Sequence, residues 1–296
     1  MSNIFSDITN NYKNGNSFTK LLYINLSFFL IYIIIHVPQA VPLAEGGITK
    51  IENFVNNYLA FPSETQKLMH TPWTTLTYMF IHQSPFHILF NMIALFFGSK
   101  LFLQYFNNKQ LISTYILGGI SGALFFKLIF NLFPEYFNDT SLLIGASASV
   151  MSIIIAISTY SPNYSVPFLF LGNIKLKHIA WGFIFLFYIN IEGENPGGNI
   201  AHLGGALFGY FYIKQLQKGN DISNGFSNFL NKLVNTFKTK SKLKTVHKRS
   251  KSDKQFNKEK TEQQKAVDLV LEKISKSGYE SLSKEEKATL FSASKK

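Results

Sequence analysis

The 296-residue sequence contains no cysteine, which excludes thiol catalysis, cysteine-type zinc sites and disulfides and says little about compartment. Acidic residues are scarce, 17 against 29 Lys and Arg, and the imbalance is local. From Lys218 onward lie 19 of the 29 basic and 9 of the 17 acidic residues, so this tail carries +10 of the net +12. The basic balance therefore describes a tail rather than a nucleic-acid-binding core, and no nucleic-acid partner is expected. No H-E-x-x-H occurs, and nothing alternates like a barrel strand.

What fills the remainder is long uncharged stretches of Phe, Ile, Leu and Tyr between Lys20 and about Leu216. A spanning helix needs about 20 mostly apolar residues. Six segments qualify: 20–42, 85–105, 110–133, 142–160, 177–192 and 199–216. The first is longer than the apolar part of a signal peptide and is followed by further apolar runs, so it reads as a span. Lipid cannot satisfy open backbone hydrogen bonds, so the fold class expected is all-α, a polytopic bundle of six membrane helices. Lys13, Lys20, Lys100, Lys109, Lys175, Lys177 and the tail fall on one side of these spans. Glu45, Glu52, Glu64, Glu135, Asp139, Glu192 and Glu194 fall on the other, together with Lys50 and Lys67. The positive-inside rule then places both termini in the cytoplasm.

With that orientation the second, fourth and sixth segments all start at the outer face, and their polar residues gather there. The second opens FIHQSPFHILFNM, which supplies His82, His87 and Asn91, the last two four apart on one helix face. The fourth, LLIGASASVMSIIIAIS, places Ser147 and Ser149 among tiny residues. The sixth opens GGNIAHLGGALFGY, with His202 in its first turn. Ionisable residues inside a membrane are costly, so their convergence points to a site in the bundle or a water-filled cavity.

A lone membrane serine ordinarily bonds back to its own helix, and Gly145-x-x-x-Ser149 and Gly205-x-x-x-Gly209 also read as packing faces. Close packing and chemistry are compatible, because small residues let two helices approach until Ser147 meets His202. Three histidines are a possible zinc set, but with no acid or cysteine in these spans no metal or other cofactor is expected. A transporter would show broken helices and buried acids at mid-bilayer. The fitting chemistry is nucleophilic, with histidine taking the proton of serine. Glu192 and Glu194 are the nearest acids and lie in a surface loop, so a Ser147–His202 dyad is simpler than a triad. His87, the Asn91 amide and the Ser147 backbone N–H are placed to stabilise a developing oxyanion.

On these residues the chain resembles the rhomboid intramembrane serine proteases over roughly Tyr12 to Leu216. HILFN is similar to the family's H-x-x-x-N, GASA to its G-x-S-x, AHLGGALFG to its A-H-x-x-G-x-x-x-G, and PWTTLTYMFIH to the stretch leading into the second span. The resemblance implies Ser147 as nucleophile, His202 as base, and His87 with Asn91 in the oxyanion hole. It also implies a structural role for His82 and close packing of Gly145 against Gly205, with Gly209 continuing that face. The implied activity is cleavage of other transmembrane proteins near the outer end of their helices, in the lipid bilayer of a bacterial inner membrane. A non-catalytic binder of membrane helices is the alternative. Three positions depart from the family pattern: Ala148 stands for the usual glycine, Thr74 for an arginine after Trp73, and Met151 for an aromatic that packs on the histidine. Gly205 is expected to set the Ser147–His202 distance, and Gly204, about 100° around the helix, to tolerate substitution better.

The domain organisation expected is an N-terminal segment 1–19, the protease bundle 20–217, a basic flexible linker 218–260 and a small helical module 261–296. Within the linker, NFLNKLVNTFKTK has amphipathic spacing suited to anionic headgroups. In the module, Val267, Val270, Leu271 and Ile274 recur at helical spacing, Gly278 marks a stop, and Ser283 with Glu286 forms a capping box. The module resembles one found after some bacterial rhomboids, and its small core calls for a partner.

Overall fold

The helices begin where capping chemistry places them. Ser84 accepts the His87 N–H at 3.2 Å with Pro85 in the first turn, Asn107 and Gln110 form a reciprocal capping box, and Asn195 accepts from the Gly198 N–H ahead of a helix opened by Pro196. Such caps satisfy amides that have no intrahelical partner, at about 1 kcal/mol each. The computed structural model describes residues 4–36, 47–137, 141–168, 172–193, 195–237 and 253–294.

The N-terminal helices are α1 (Ile4–Asn14), α2 (Ser17–His36), α3 (Gly47–Tyr58), α4 (Thr65–His70) and the single turn α5 (Thr74–Thr77). The main bundle follows as α6 (Pro85–Phe102), α7 (Asn108–Leu132), α8 (Ser147–Tyr160), α9 (Leu176–Ile189) and α10 (Pro196–Gln217), with α11 (Ile222–Phe237) after it. Among the described residues there are also two small antiparallel ladders. Strand β1 (Phe61–Pro62) pairs with β2 (Leu142–Leu143), Phe61 opposite Leu143, and β3 (Ser165–Phe168) pairs with β4 (Gly172–Lys175). The chain divides into two compact units, Met1–Phe237 and Lys238–Lys296.

Among the described residues three helices, at Ser17–Ile35, Pro85–Phe102 and Asn108–Leu132, are long and apolar enough to cross a membrane, while Ser147–Tyr160 and Leu176–Ile189 are apolar but shorter. The fourth segment was expected to be helical from Leu142, and the structure corrects this. Gly145 has φ +122, a conformation that ends any helix passing through it, so Leu142–Leu143 pairs as a strand and the helix starts at Ser147. The first expected segment is helical to His36, and its residues 37–42 lie outside the described residues.

Helix α10 lies against both α7 and α8. Small residues make this possible. A Cβ on Gly209 would overlap the Ser152 carbonyl, one on Gly205 the Ala148 carbonyl, and one on Gly122 of α7 would sit 2.6 Å from the Ala148 Cβ. Gly118 and Gly119 likewise face Ser152 and Ser149. Around this crossing the buried core collects Tyr78, Tyr115, Phe126, Phe130, Ile153 and Tyr212.

The expectation for Gly204 is corrected here. A Cβ there would lie 2.5 Å from that of Phe125 and 3.0 Å from the Gly122 Cα, so α10 is glycine-packed on two sides. Part of the expected linker is also helical. Asp221 accepts from the Ser223 N–H at 2.9 Å and from Gln110 Nε2 at 3.1 Å, which ties the start of α11 to α7.

The C-terminal unit holds α12 (Asp253–Ser277) and α13 (Lys284–Ser294). Helix α12 starts earlier than the expected Thr261 and stops at Gly278, φ +75. Of its expected stripe Val270 is buried, whereas Leu271 is exposed. Ser283 and Glu286 exchange the two bonds of the capping box, and Lys273 meets Glu286 at 2.8 Å, a hydrogen bond that holds this carboxyl below its usual range.

Candidate active site

The segment before Ser147 is aimed by its neighbours. Tyr78 donates its hydroxyl to the Gly119 carbonyl at 2.6 Å, and its own carbonyl accepts the Gly145 N–H at 3.0 Å. His82, fully buried, accepts the Ala146 N–H at 3.4 Å through Nε2. A side chain at Gly145 would lie 2.6 Å from Cε1 and Nε2 of His87, so glycine is required there for both its backbone angle and its lack of a Cβ. The expected packing of Gly145 against Gly205 is not formed. Gly145 meets His87, and Gly205 instead meets the Ala148 carbonyl.

Ser147 thus sits in the first turn of α8 and His202 in the second turn of α10. Their side chains meet, with Ser147 Oγ 2.5 Å from His202 Nε2. Nδ1 of His202 is buried with no hydrogen-bond partner among the described residues. Glu192 is exposed, and Glu194 lies outside the described residues. Ser147 itself is half-buried.

His87 and Asn91 share one face of α6, as expected. The Asn91 amide donates one hydrogen to the His87 carbonyl at 2.9 Å, which leaves its second hydrogen for another acceptor. The His82 and His87 rings meet edge to face, 5.0 Å between centroids. Among the described residues no three His, Cys, Asp or Glu side chains are grouped to hold a metal. The Ser147 N–H belongs to the unpaired first turn of α8, whose positive end faces this site. A cavity of about 320 Å³ opens beside His87, lined by Asn56, Gln83, Leu142, Leu143, Ile144 and Asn195.

The three departures each find a place. The Ala148 methyl points at Gly122 of α7 and away from Ser147, so it does not crowd the serine. Thr74 is buried and bonds the Thr71 carbonyl, while the Trp73 indole N–H donates to the Tyr58 carbonyl at 2.7 Å. The aromatic missing at Met151 comes from α9, where the Phe187 ring lies 4.4 Å from that of His202. Phe187 was not legible, because nothing in the sequence aligns a residue of α9 with one of α10. Lys127 was missed too: from within α7 its ammonium donates to the Ser63 carbonyl and Thr65 hydroxyl, both at 2.9 Å, pinning the loop before α4. Its signal was a lone charge inside an apolar run.

Residues 69–218 match the family model described as a Rhomboid domain, and residues 251–296 match a family of unknown function, DUF6576. Among curated relatives, the chain is similar to the Presenilin-associated rhomboid-like protein A, mitochondrial, of Danio rerio, 29% identical over 142 residues, 45% of this chain and 35% of that protein. It is similar to the Presenilin-associated rhomboid-like protein, mitochondrial, of Bos taurus and of Mus musculus, 27% identical over 172 residues, 56% of this chain and 41% of theirs. The matched stretch thus covers well under half the length of these relatives.

Proposed function

The chain belongs to the rhomboid family, and on that premise we propose that it is an intramembrane serine endopeptidase acting on transmembrane segments of other proteins. The observation that carries this reading is the 2.5 Å contact between Ser147 Oγ and His202 Nε2. With Nε2 unprotonated, His202 takes the hydroxyl proton as Oγ attacks the scissile carbonyl carbon. The tetrahedral oxyanion is met by the Ser147 N–H, the free Asn91 amide hydrogen and His87. His202 then gives its proton to the departing amine, leaving an acyl-serine. A water, deprotonated by the same nitrogen, hydrolyses that ester and restores the serine.

In this reading α2, α6, α7, α8, α9 and α10 are the six membrane helices, with lysine-bearing ends and both termini in the cytoplasm of a bacterial cell. Residues 20–217 form the protease bundle, and the C-terminal helices α12 and α13 belong to a separate module. The short α8 fits because the catalytic end must lie below the outer surface yet remain open to water. The cavity beside His87 supplies that opening, and its residues are suited to receive an unwound substrate chain. The substrates are transmembrane proteins within the same bilayer. Retention of both reacting side chains, in contact, favours catalysis over helix binding alone.

The test is incubation of the purified chain in bilayer nanodiscs with a library of single-span proteins, beside Ser147→Ala. Fragments cut near one membrane end, formed by the wild type alone, are expected. Fragments formed equally by Ser147→Ala would overturn the reading.

A further inference from the structure

Away from the catalytic pair, α9 and α10 splay apart over an open groove of about 670 Å³, in the size range of ligand sites. Its walls are apolar: Phe125 of α7, Ile155 of α8, Ala180 and Ile184 of α9, and Ala206 and Leu207 of α10. Each of its two long walls also carries an aromatic and a lysine one helical turn apart. On α9 these are Lys177 and Trp181, and on α10, in the opposite order, Tyr210 and Lys214. The spacing of four places each pair on one helix face. All four line the groove, with Trp181 68% and Tyr210 52% exposed and the Lys214 ammonium 5.6 Å from the Tyr210 ring centroid.

We propose that this groove is a binding site for one anionic phospholipid, its phosphate between Lys177 and Lys214 and an acyl chain along the α9–α10 seam. Three features point to that occupant. The walls suit a hydrocarbon chain, since beyond the two lysines at one end their lining carries no charge. Indole and phenol rings beside ammonium groups are what the headgroup boundary of a bilayer favours. The Ser158 and Thr159 hydroxyls at the groove already donate to the Ile154 and Ile155 carbonyls, both at 2.7 Å. Their hydrogens are spent, so an anion there is held by the lysines.

Length agrees as well. From Phe187 back to Lys177 is about 15 Å along a helix, and from His202 to Lys214 about 18 Å. That is roughly half the ~30 Å hydrocarbon core, the reach of a chain in one leaflet. The lipid also has a route to the active site. Its walls include Leu203, next to His202, and Ile184, three residues before Phe187. A filled groove supports α9 against α10, and so holds the Phe187 ring on His202.

The inference rests on the membrane-spanning reading of the bundle and not on its chemistry, so it is tested on the full-length Ser147→Ala chain. The protein is purified in detergent with equal amounts of phosphatidylglycerol and phosphatidylcholine, and retained lipid is counted by native mass spectrometry. One phosphatidylglycerol should be retained preferentially. Each lysine near an anionic surface contributes about fivefold, so Lys177→Gln with Lys214→Gln should lower the preference at least about tenfold. The arginine pair Lys177→Arg with Lys214→Arg should keep it, as should Lys100→Gln with Lys109→Gln, in the last turn of α6 and the first of α7. If the glutamine pair does not fold, the single variants decide, each losing about fivefold. Equal retention of the two lipids by the parent, or an equal loss in the Lys100 and Lys109 pair, would overturn the site. Either result stands whether or not the wild type proves to be a protease.

Discussion

Gly205→Val is expected to abolish cleavage and to lower the melting temperature of the bundle in detergent. The Gly205 Cα faces the Ala148 carbonyl so closely that even a Cβ has no room, and the obstructing atom is backbone that cannot rotate away. Overpacking of this kind costs about 1–3 kcal/mol. The catalytic effect matches the upper end of the stability effect, since a loss of about 10²-fold in rate is about 2.7 kcal/mol. Ala148 is adjacent to Ser147 and Gly205 lies one turn after His202, so displacement acts directly on the 2.5 Å Ser147–His202 contact. A misplacement of about 1 Å costs on the order of 10²-fold in rate. Gly204→Val should destabilise the fold by a similar amount, through Phe125 and Gly122 of α7. Gly182→Val on α9, where a Cβ meets nothing within 4 Å, should behave as wild type. Cleavage per folded molecule and melting temperature, measured on all three, check this. Wild-type cleavage by Gly205→Val would remove the packing argument.

His202→Ala is expected to reduce cleavage as fully as Ser147→Ala, by at least about 10³-fold, because the two groups act as a unit. The double variant should be no slower than either single one. Glu192→Gln should keep most of its activity, since Glu192 is exposed and His202 Nδ1 is buried without a hydrogen-bond partner among the described residues. Rates for the four variants, measured side by side, decide between dyad and triad. A collapse in Glu192→Gln with melting unchanged would require an acid behind the histidine.

Much of the candidate site was legible because its chemistry is carried by rare residues in an apolar background. Histidine, asparagine and serine stand out among Leu, Ile and Phe, and their spacing of four on α6 survives into the fold unaltered. The start of α8 was not legible. Leu142 to Ile144 is as apolar as a helix, and only a partner strand at Phe61–Pro62 turns it into a ladder. Gly145 marked the break, but a glycine in a membrane helix is also an ordinary packing residue. Its partner was misjudged for the same reason: the small-residue pattern shows that something approaches, not whether it is Gly205 or the His87 ring.

Gly118, Gly119 and Gly122 of α7 face α8 and α10, but no polar spacing in the sequence marks that face. The tolerance expected at Gly204 failed because α10 has a glycine-packed neighbour on each of two sides. Phe187 restores, from a different helix, the ring that Met151 lacks. Pairwise contacts of this kind depend on helix rotation, which a single sequence does not encode locally.

The central claim is that Ser147 is a nucleophile activated by His202. It is tested most directly by treating the detergent-purified chain with a serine-reactive fluorophosphonate and mapping the modified peptide by mass spectrometry. The account predicts a single adduct on Ser147, absent from Ser147→Ala and strongly slowed in His202→Ala although that variant keeps its serine. An adduct on another residue, or labelling of Ser147 at an unchanged rate in His202→Ala, would contradict it.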